Sequence, residues 1–262
     1  MIGVVLRGGL GNQLFQFAAA RMLSTRWETN VALDLSFYSN NARRRFLLDR
    51  FKVSYETFET TSSIGRIVSE KSHPFDVRVL NAPSDCILDG CFESYCYFKD
   101  VEDVLREELV VADTETIRLA NKLLTNAMAE GTPLVSVHVR RGDFLTVFPH
   151  MVLTAEQYRE AMSFFLSCTF LVFSDDLDWC RNHLSGDRVY FMDGKDPVTD
   201  MMAMAACDHH IYAHSTFGWW GQWMNSNPGK KTLTLDTYFF PPDTPIQSGP
   251  GEWIVIEGNR SN

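Results

Sequence analysis

The run His138-Val139-Arg140-Arg141-Gly142-Asp143 places an imidazole, two adjacent guanidiniums and a carboxylate side by side. Paired arginines offer planar, bidentate donors that match the geometry of phosphate. A chain of formal net charge −9 that concentrates two arginines at one point is suited to bind a small anion there. The plainer use of the same residues is an Arg/Asp ion pair that closes a loop. A second run, Phe173-Ser174-Asp175-Asp176, holds carboxylates that can accept two hydrogen bonds from the N1 and N2 edge of guanine. Either aspartate could instead cap the helix that follows. In a third run, His214-Ser215-Thr216-Phe217-Gly218-Trp219-Trp220-Gly221, hydroxyls stand where a helix begins. Ser215 and Thr216 can cap that helix, and its first amides can hold phosphate. Core packing is expected for at least one tryptophan of the pair.

A fourth run, Arg7-Gly8-Gly9-Leu10-Gly11-Asn12-Gln13, lies between a strand-like and a helix-like segment. Its glycines let backbone amides approach a ligand closely, and Asn12 and Gln13 sit where side chains could reach one as well. It is not a Rossmann fingerprint, because the third glycine position holds Leu14. Nor is it a P-loop, because no Gly-Lys-Ser/Thr follows. A tight turn accounts for the glycines equally well. Asp176-Leu177-Asp178 spells D-x-D, a carboxylate pair that can hold a divalent metal, but Asp178 falls inside the expected helix.

The elements that must carry these runs alternate between strand-like and helix-like, which predicts an α/β class. Ile2–Leu6 reads as a first strand and Gln13–Arg26 as a helix apolar on most faces, hence buried. Val31–Leu33 and Cys86–Phe92 read as strands, and Val101–Leu109 and Glu115–Ala129 as helices. Between about 34 and 85 no periodicity places an element. Gly131-Thr132-Pro133 is a turn signal and the expected domain boundary. Beyond it, strands are expected at Leu134–Val139, Phe170–Phe173, Val189–Met192, Ile211–Ala213 and Lys231–Leu235. Helices are expected from a Thr154-x-x-Gln157 capping box to about Leu166, and over Asp176–Leu184, Pro197–Ala206 and Phe217–Asn225. The Pro- and Gly-rich tail after Phe240 reads mostly as loop. Three of the four runs thus fall at carboxyl ends of strands in one half, where open α/β sheets bind ligands.

The chain has 262 residues, 45% hydrophobic and 22% charged, an ordinary globular balance. Its acidity and the lack of a basic stripe argue against nucleic-acid binding. No signal peptide and no membrane span are visible, which predicts a cytoplasmic protein and leaves peripheral membrane association open. The six cysteines form no C-x-x-C pair, so reduced thiols are expected and no metal site. The sequence assigns no oligomeric state.

Taken together, Gly8-Gly9-Leu10-Gly11-Asn12-Gln13-Leu14-Phe15-Gln16, His138-Val139-Arg140-Arg141-Gly142-Asp143-Phe144, Phe173-Ser174-Asp175-Asp176 and Ser215-Thr216-Phe217-x-Trp219-Trp220-Gly221 resemble the α-1,2-fucosyltransferases. The four blocks occur in that family's order and span residues 3 to about 226. The resemblance implies a GT-B-like fold of two Rossmann-like halves facing a cleft. Residues 1–130 would form the acceptor side with the glycine loop, and residues 131–262 the GDP-sugar side. It implies inverting transfer of L-fucose from GDP-fucose to the 2-hydroxyl of a galactose-terminated oligosaccharide, with no metal or other cofactor. Arg140 would hold the β-phosphate and Arg141 would lie nearby or brace the loop. His138 and an aspartate of Asp175-Asp176 would contact guanosine. Ser215, Thr216 and Phe217 would hold ribose or phosphate, with Gly9, Gly11, Asn12 and Gln13 on the donor's other side. Asp143, beside the arginines, and His150, after a proline in the next loop, are the candidates for the base, His150 because an imidazole titrates in the right range. The family usually has Asn at position 214 and a small residue such as Ser at 218, where this chain has His214 and Gly218. Two other functions fit the same residues. One is a metal-dependent sugar-nucleotide transferase using Asp176 and Asp178. The other is a non-catalytic glycan- or nucleotide-binding module.

Overall fold

In a computed structural model of the chain, the described residues are all except 40, 60–65, 72–74, 195, 214, 235–251 and 256–262; for 252–255 only the backbone is described. The chain divides into two units, Met1–Asp113 and Thr114–Asn262, each built on one parallel sheet.

In the first unit the sheet order is β3-β2-β1-β5-β4. Its strands are β1 (Ile2–Val5), β2 (Val31–Asp34), β3 (Glu56–Phe58), β4 (Arg66–Ser69) and β5 (Cys86–Asp89). Helix α1 (Leu10–Arg26) follows β1 and is buried on most sides, through Leu14, Phe15, Phe17, Ala18, Ala19 and Leu23. An all-apolar helix belongs between a sheet and other elements, as the sequence pattern requires. Two short helices, α2 (Ser36–Ser39) and α3 (Val77–Leu80), and α4 (Glu102–Glu108) complete the unit. The segment 34–85, where periodicity placed nothing, thus holds two edge strands. They are three and four residues long and mostly exposed, so neither alternation nor a long apolar run marks them.

The second unit starts at α5 (Thr114–Met128), not at the turn at residue 131. Ala120, Leu124 and Ala127 of α5 pack with Leu134, Leu171, Phe173, Met192, Ala203 and Met204. The apolar face of α5 therefore completes the second sheet's core. Gly131, at φ +66°, turns the chain from α5 into the next strand rather than separating domains. The sheet order is β11-β10-β9-β6-β7-β8. Its strands are β6 (Leu134–Val139), β7 (Thr169–Ser174), β8 (Val189–Met192), β9 (His209–Tyr212), β10 (Lys231–Thr234) and β11 (Glu252–Val255). Its other helices are α6 (Phe144–Val147), α7 (Ala155–Ser163), α8 (Leu177–His183), α9 (Pro197–Ala205) and α10 (Thr216–Met224). β11 pairs in parallel with β10, Lys231 opposite Glu252, so the tail read as loop contributes an edge strand. Alternation along β6 sends Val135, Val137 and Val139 into one core with Tyr158, Ala161 and Cys180 of α7 and α8. Leu134 turns to the opposite face, toward α5 and α9.

Candidate active site

The order of the second sheet decides where a ligand can sit. From β6 the chain moves outward through β7 to β8, and from β9 it moves the other way through β10 to β11. β6 and β9 are neighbours whose following segments diverge, which opens a crevice at their carboxyl ends. The segment after β6 is Arg140-Arg141-Gly142-Asp143, and α10 starts shortly after β9. The adjacent β7 ends at Ser174-Asp175-Asp176. Three runs singled out by composition alone therefore meet at one sheet edge.

The arginine loop is held by a carboxylate. Asp175 Oδ1 accepts the Arg141 and Gly142 amides at 2.9 and 3.1 Å, and Asp175 Oδ2 accepts Arg140 Nη1 at 2.5 Å. Gly142 makes this approach feasible: a Cβ there would lie 2.4 Å from Asp175 Oδ2. Arg140 Nη2 donates to Asp143 Oδ1 at 2.5 Å, and its guanidinium lies 5.2 Å from the Phe144 ring centroid. Two of the five Arg140 N–H donors thus meet carboxylates, and among the described residues the other three have no hydrogen-bond partner. Arg141 is stacked 3.8 Å from the Trp179 ring centroid and its Nε donates to Asp176 Oδ2 at 3.1 Å. Asp176 Oδ1 caps α8 through the Trp179 amide at 3.2 Å. Arg141 braces the loop. Of the two aspartates, Asp176 is the cap and Asp175 the clamp, so both carboxylates are engaged inside the protein.

His138 is buried, with its ring 5.5 Å from that of Phe217 at the start of α10. Burial, reinforced by the Arg140 charge, pushes its pKa down to about 4, so it presents a neutral imidazole. Gly218 is required beside it, since a Cβ would come within 2.9 Å of Tyr212 Cβ and 3.0 Å of His138 Nδ1. Glycine in place of a small side chain here lets α10 seat directly on the histidine. Ser215 occupies the N-cap of α10 but makes no side-chain cap bond, contrary to the capping expected of it. Thr216 and Phe217 form the first turn, half-buried, while Trp219 and Trp220 are both core residues. His214 lies outside the described residues. His150 is on an exposed turn, Pro149–Met151.

In the glycine run of the first unit and the helix it opens, two glutamines serve the fold. Gly8 has φ +84°, Gly9 is the N-cap of α1, and Gly11 is buried in the first helical turn. Gln13 is fully buried. Its Nε2 donates to the carbonyls of Gly8 and Arg45, and its Oε1 accepts the Leu47 amide. It ties residues 45–47 to α1 and leaves nothing for a substrate, because both ends of its amide already serve the backbone. Gln16 does the same for the strand ends, accepting the Arg7 amide at 3.0 Å and donating to the Gly90 carbonyl at 3.2 Å. Asn12 is half-buried and donates to Glu93 at 3.2 Å. Burial and neighbouring Glu70 push Glu93 up to about 7. Sequence reading missed Glu93; a glutamate in the loop after β5 carried no motif.

The residues present do not fit a D-x-D metal pair. Asp176 is committed to Arg141 and to α8, while Asp178 is 94% exposed and pairs with Arg181. Among the described residues, no group of three His, Cys, Asp or Glu side chains converges as metal ligands. The six cysteines are free thiols. No helix among the described residues is long and apolar enough to cross a membrane.

Two parallel-sheet α/β units with strand-end sites define an architecture shared with fucosyltransferases of known structure. The chain superposes on the NodZ α-1,6-fucosyltransferase crystallised with GDP with a TM-score of 0.58, at 14% identity over 90% of this chain and 95% of that one. For POFUT1 in complex with GDP-fucose the TM-score is 0.55, at 13% identity over 89% and 97%. By sequence, residues 71–248 match the model of glycosyl transferase family 11, and the chain belongs to that family. It is 28% identical to an α-1,2-colitosyltransferase of Escherichia coli, over 96% of this chain and 97% of that protein. It is 26% identical to the O-antigen biosynthesis glycosyltransferase WbnK of Escherichia coli, over 89% and 93%. It is 30% identical to galactoside α-(1,2)-fucosyltransferase 1 of Saimiri sciureus, over 66% of this chain and 53% of that protein.

Proposed function

We propose that this protein transfers L-fucose from GDP-fucose to the 2-hydroxyl of a terminal galactoside, with inversion and without a metal or other cofactor. The observation that carries this reading is Arg140 at the β6/β9 crevice, clamped by Asp175 with three donors still available. In the reaction the bond between the sugar C1 and the diphosphate oxygen breaks through an oxocarbenium-like state. The acceptor oxygen attacks the opposite face, and its proton passes to a base. Negative charge grows on the leaving phosphate. In this reading Arg140 and the first amides of α10 stabilise it where it develops, which is the work a divalent cation does in other transferases. Asp175 keeps the guanidinium preorganised, and neutral His138 meets the nucleoside beside Phe217.

Asp143 is bonded to Arg140, so in this reading it orients the arginine as well as being a candidate base. The two candidates separate by substitution: only loss of the true base should abolish kcat at saturating donor and acceptor, so wild-type kcat in His150→Gln would leave Asp143 as the base. A second donor is favoured by the colitosyltransferase relative, which aligns over nearly the whole chain.

The test is GDP release in EDTA, with and without lactose, from GDP-fucose and from a GDP-colitose donor. Lactose-dependent release should persist in EDTA. Arg140→Ala should reduce it roughly 10²–10³-fold, as loss of one oxyanion donor does. Tight GDP binding with no turnover of either donor would instead make this a binding module. Loss of activity in EDTA would restore the metal-dependent reading.

A further inference from the structure

Behind the arginine crevice, a set of polar side chains lies out of reach of solvent. Ser136 of β6, His210 of β9, Asn225 at the end of α10 and Lys230 before β10 are each at most 4% exposed. They form one connected series. Lys230 Nζ donates to the carbonyls of Gln222 and Asn225 at 2.6 and 2.8 Å, at the C-terminus of α10. Asn225 Nδ2 donates to the Cys207 carbonyl at 2.6 Å and to His210 Nε2 at 2.8 Å, and its Oδ1 accepts the Asn227 amide at 2.7 Å. With Nε2 an acceptor, His210 carries its proton on Nδ1 and donates it to Ser136 Oγ at 2.8 Å. Burial, followed by the Lys230 charge, pushes the His210 pKa down to about 3, which keeps the ring neutral.

A buried ammonium is costly to desolvate, and a methionine would fill similar space without that cost. The ammonium answers a specific need. The last carbonyls of a helix have no partner within it, and those of α10 are buried with Gln222 and Asn225. A cation at this end is also favoured by the helix dipole. Ser136 and His210 are paired across β6 and β9, on the same sheet face as the next such pair, His138 and Tyr212, at the crevice. The series therefore fastens the C-terminus of α10 to the two strands between which the crevice opens. α10 is nine residues of continuous helix with Trp219, Trp220 and Trp223 in the core, so fixing its far end sets where Thr216 and Phe217 stand at the near end.

We infer that Lys230, with Asn225 and His210, is a positioning residue for the donor's diphosphate: it touches no substrate and sets the seat of the helix whose first amides receive the phosphates. This role rests on the donor reading of the crevice. The test is calorimetric titration of the full chain with GDP and with guanosine, which lacks the phosphates. Lys230→Met should weaken GDP binding about tenfold, as weakening of one charge-assisted hydrogen bond does, and leave guanosine affinity and the circular dichroism unchanged. Lactose-dependent GDP release should lose kcat with the lactose KM unaltered. Ser136→Ala cuts only the link from His210 to β6 and should weaken GDP binding about threefold, so it carries the test if Lys230→Met does not fold. Equal losses for GDP and guanosine would reduce the series to a structural role and overturn the proposal. Wild-type GDP affinity in a folded Lys230→Met, or in Ser136→Ala where that variant does not fold, would overturn it as well. A wild-type chain that does not bind GDP would sink the donor reading and this proposal together, whereas one that binds GDP, with both variants indistinguishable from it, would sink this proposal alone.

Discussion

Asp175 receives the Arg140 guanidinium and the amides of Arg141 and Gly142, so the geometry of the arginine loop depends on one carboxylate and on the absence of a side chain at 142. Gly142→Ala should therefore displace Asp175 and weaken GDP binding about tenfold, equivalent to ~1.4 kcal/mol, by titration calorimetry. Its circular dichroism should be unchanged. Gln13 is read differently in sequence and in structure. A glutamine after a glycine turn suggests a ligand contact, but its amide is spent on three backbone groups. Gln13→Ala should cost about 2–3 kcal/mol in denaturant unfolding, because buried backbone groups lose their partners. His138 carries a pH signature. Its pKa falls from an ordinary 6.5 to about 4 on folding, so the unfolded chain binds the extra proton. Its contribution to stability is intact above about 6.5 and is lost as pH falls toward 4. An imidazole signal that stays neutral from pH 8 to 5 in a folded sample would confirm this; titration near 6.5 would refute it.

At the level of elements, α8 shows why D-x-D is misleading here. The first aspartate is the N-cap and the second faces water one turn on. Asp176→Ala should destabilise by about 1 kcal/mol through the lost cap, and more if Arg141 leaves Trp179. Asp178→Ala should stay within about 0.5 kcal/mol of wild type and keep full activity, the opposite of what a metal ligand would do. Most helix and strand positions in the second unit, α6 and β11 aside, were legible because each had a period or an apolar run. The Thr154/Gln157 capping box was legible as well and is present with both of its bonds. β3 and β4 were not, since short edge strands bury too little to impose a pattern on their sequence, and β11 lies in a tail whose Pro and Gly content reads as loop.

At the scale of the whole molecule, the boundary between units is a packing question. A fragment of residues 114–262 should unfold cooperatively, whereas one starting at residue 131 lacks α5 and should expose Leu134, Leu171 and Met204, behaving as a molten, dye-binding species. Two raised carboxyls give a second global prediction. Burial and Glu70 raise Glu93 from 4.5 to about 7, and burial with Asp196 and Asp193 raises Asp200 from 3.8 to about 7. The folded state therefore holds protons that the unfolded state releases, and stability declines as pH rises from about 4 to 7, then levels off. In denaturant midpoints at pH 5 and 8, Glu93→Gln combined with Asp200→Asn should flatten that slope.

The amino-acid sequence by itself determined the α/β alternation, the family and the cluster of Arg140, Arg141, Asp175 and the α10 start as the candidate site. These rest on local periodicity and on residue types whose chemistry is intrinsic. Tertiary structure alone decided which of those groups brace the others. Asp175, Asp176 and Gln13 carry polar side chains suited to either task. The pairing of β6 with β7 brought Asp175 and Asp176 to the arginine loop, and residues 45–47 lying against α1 committed Gln13. In the first unit, β1 paired with both β2 and β5 brings Asp34 and Asp89, far apart in the chain, to one sheet edge, which no local motif announces.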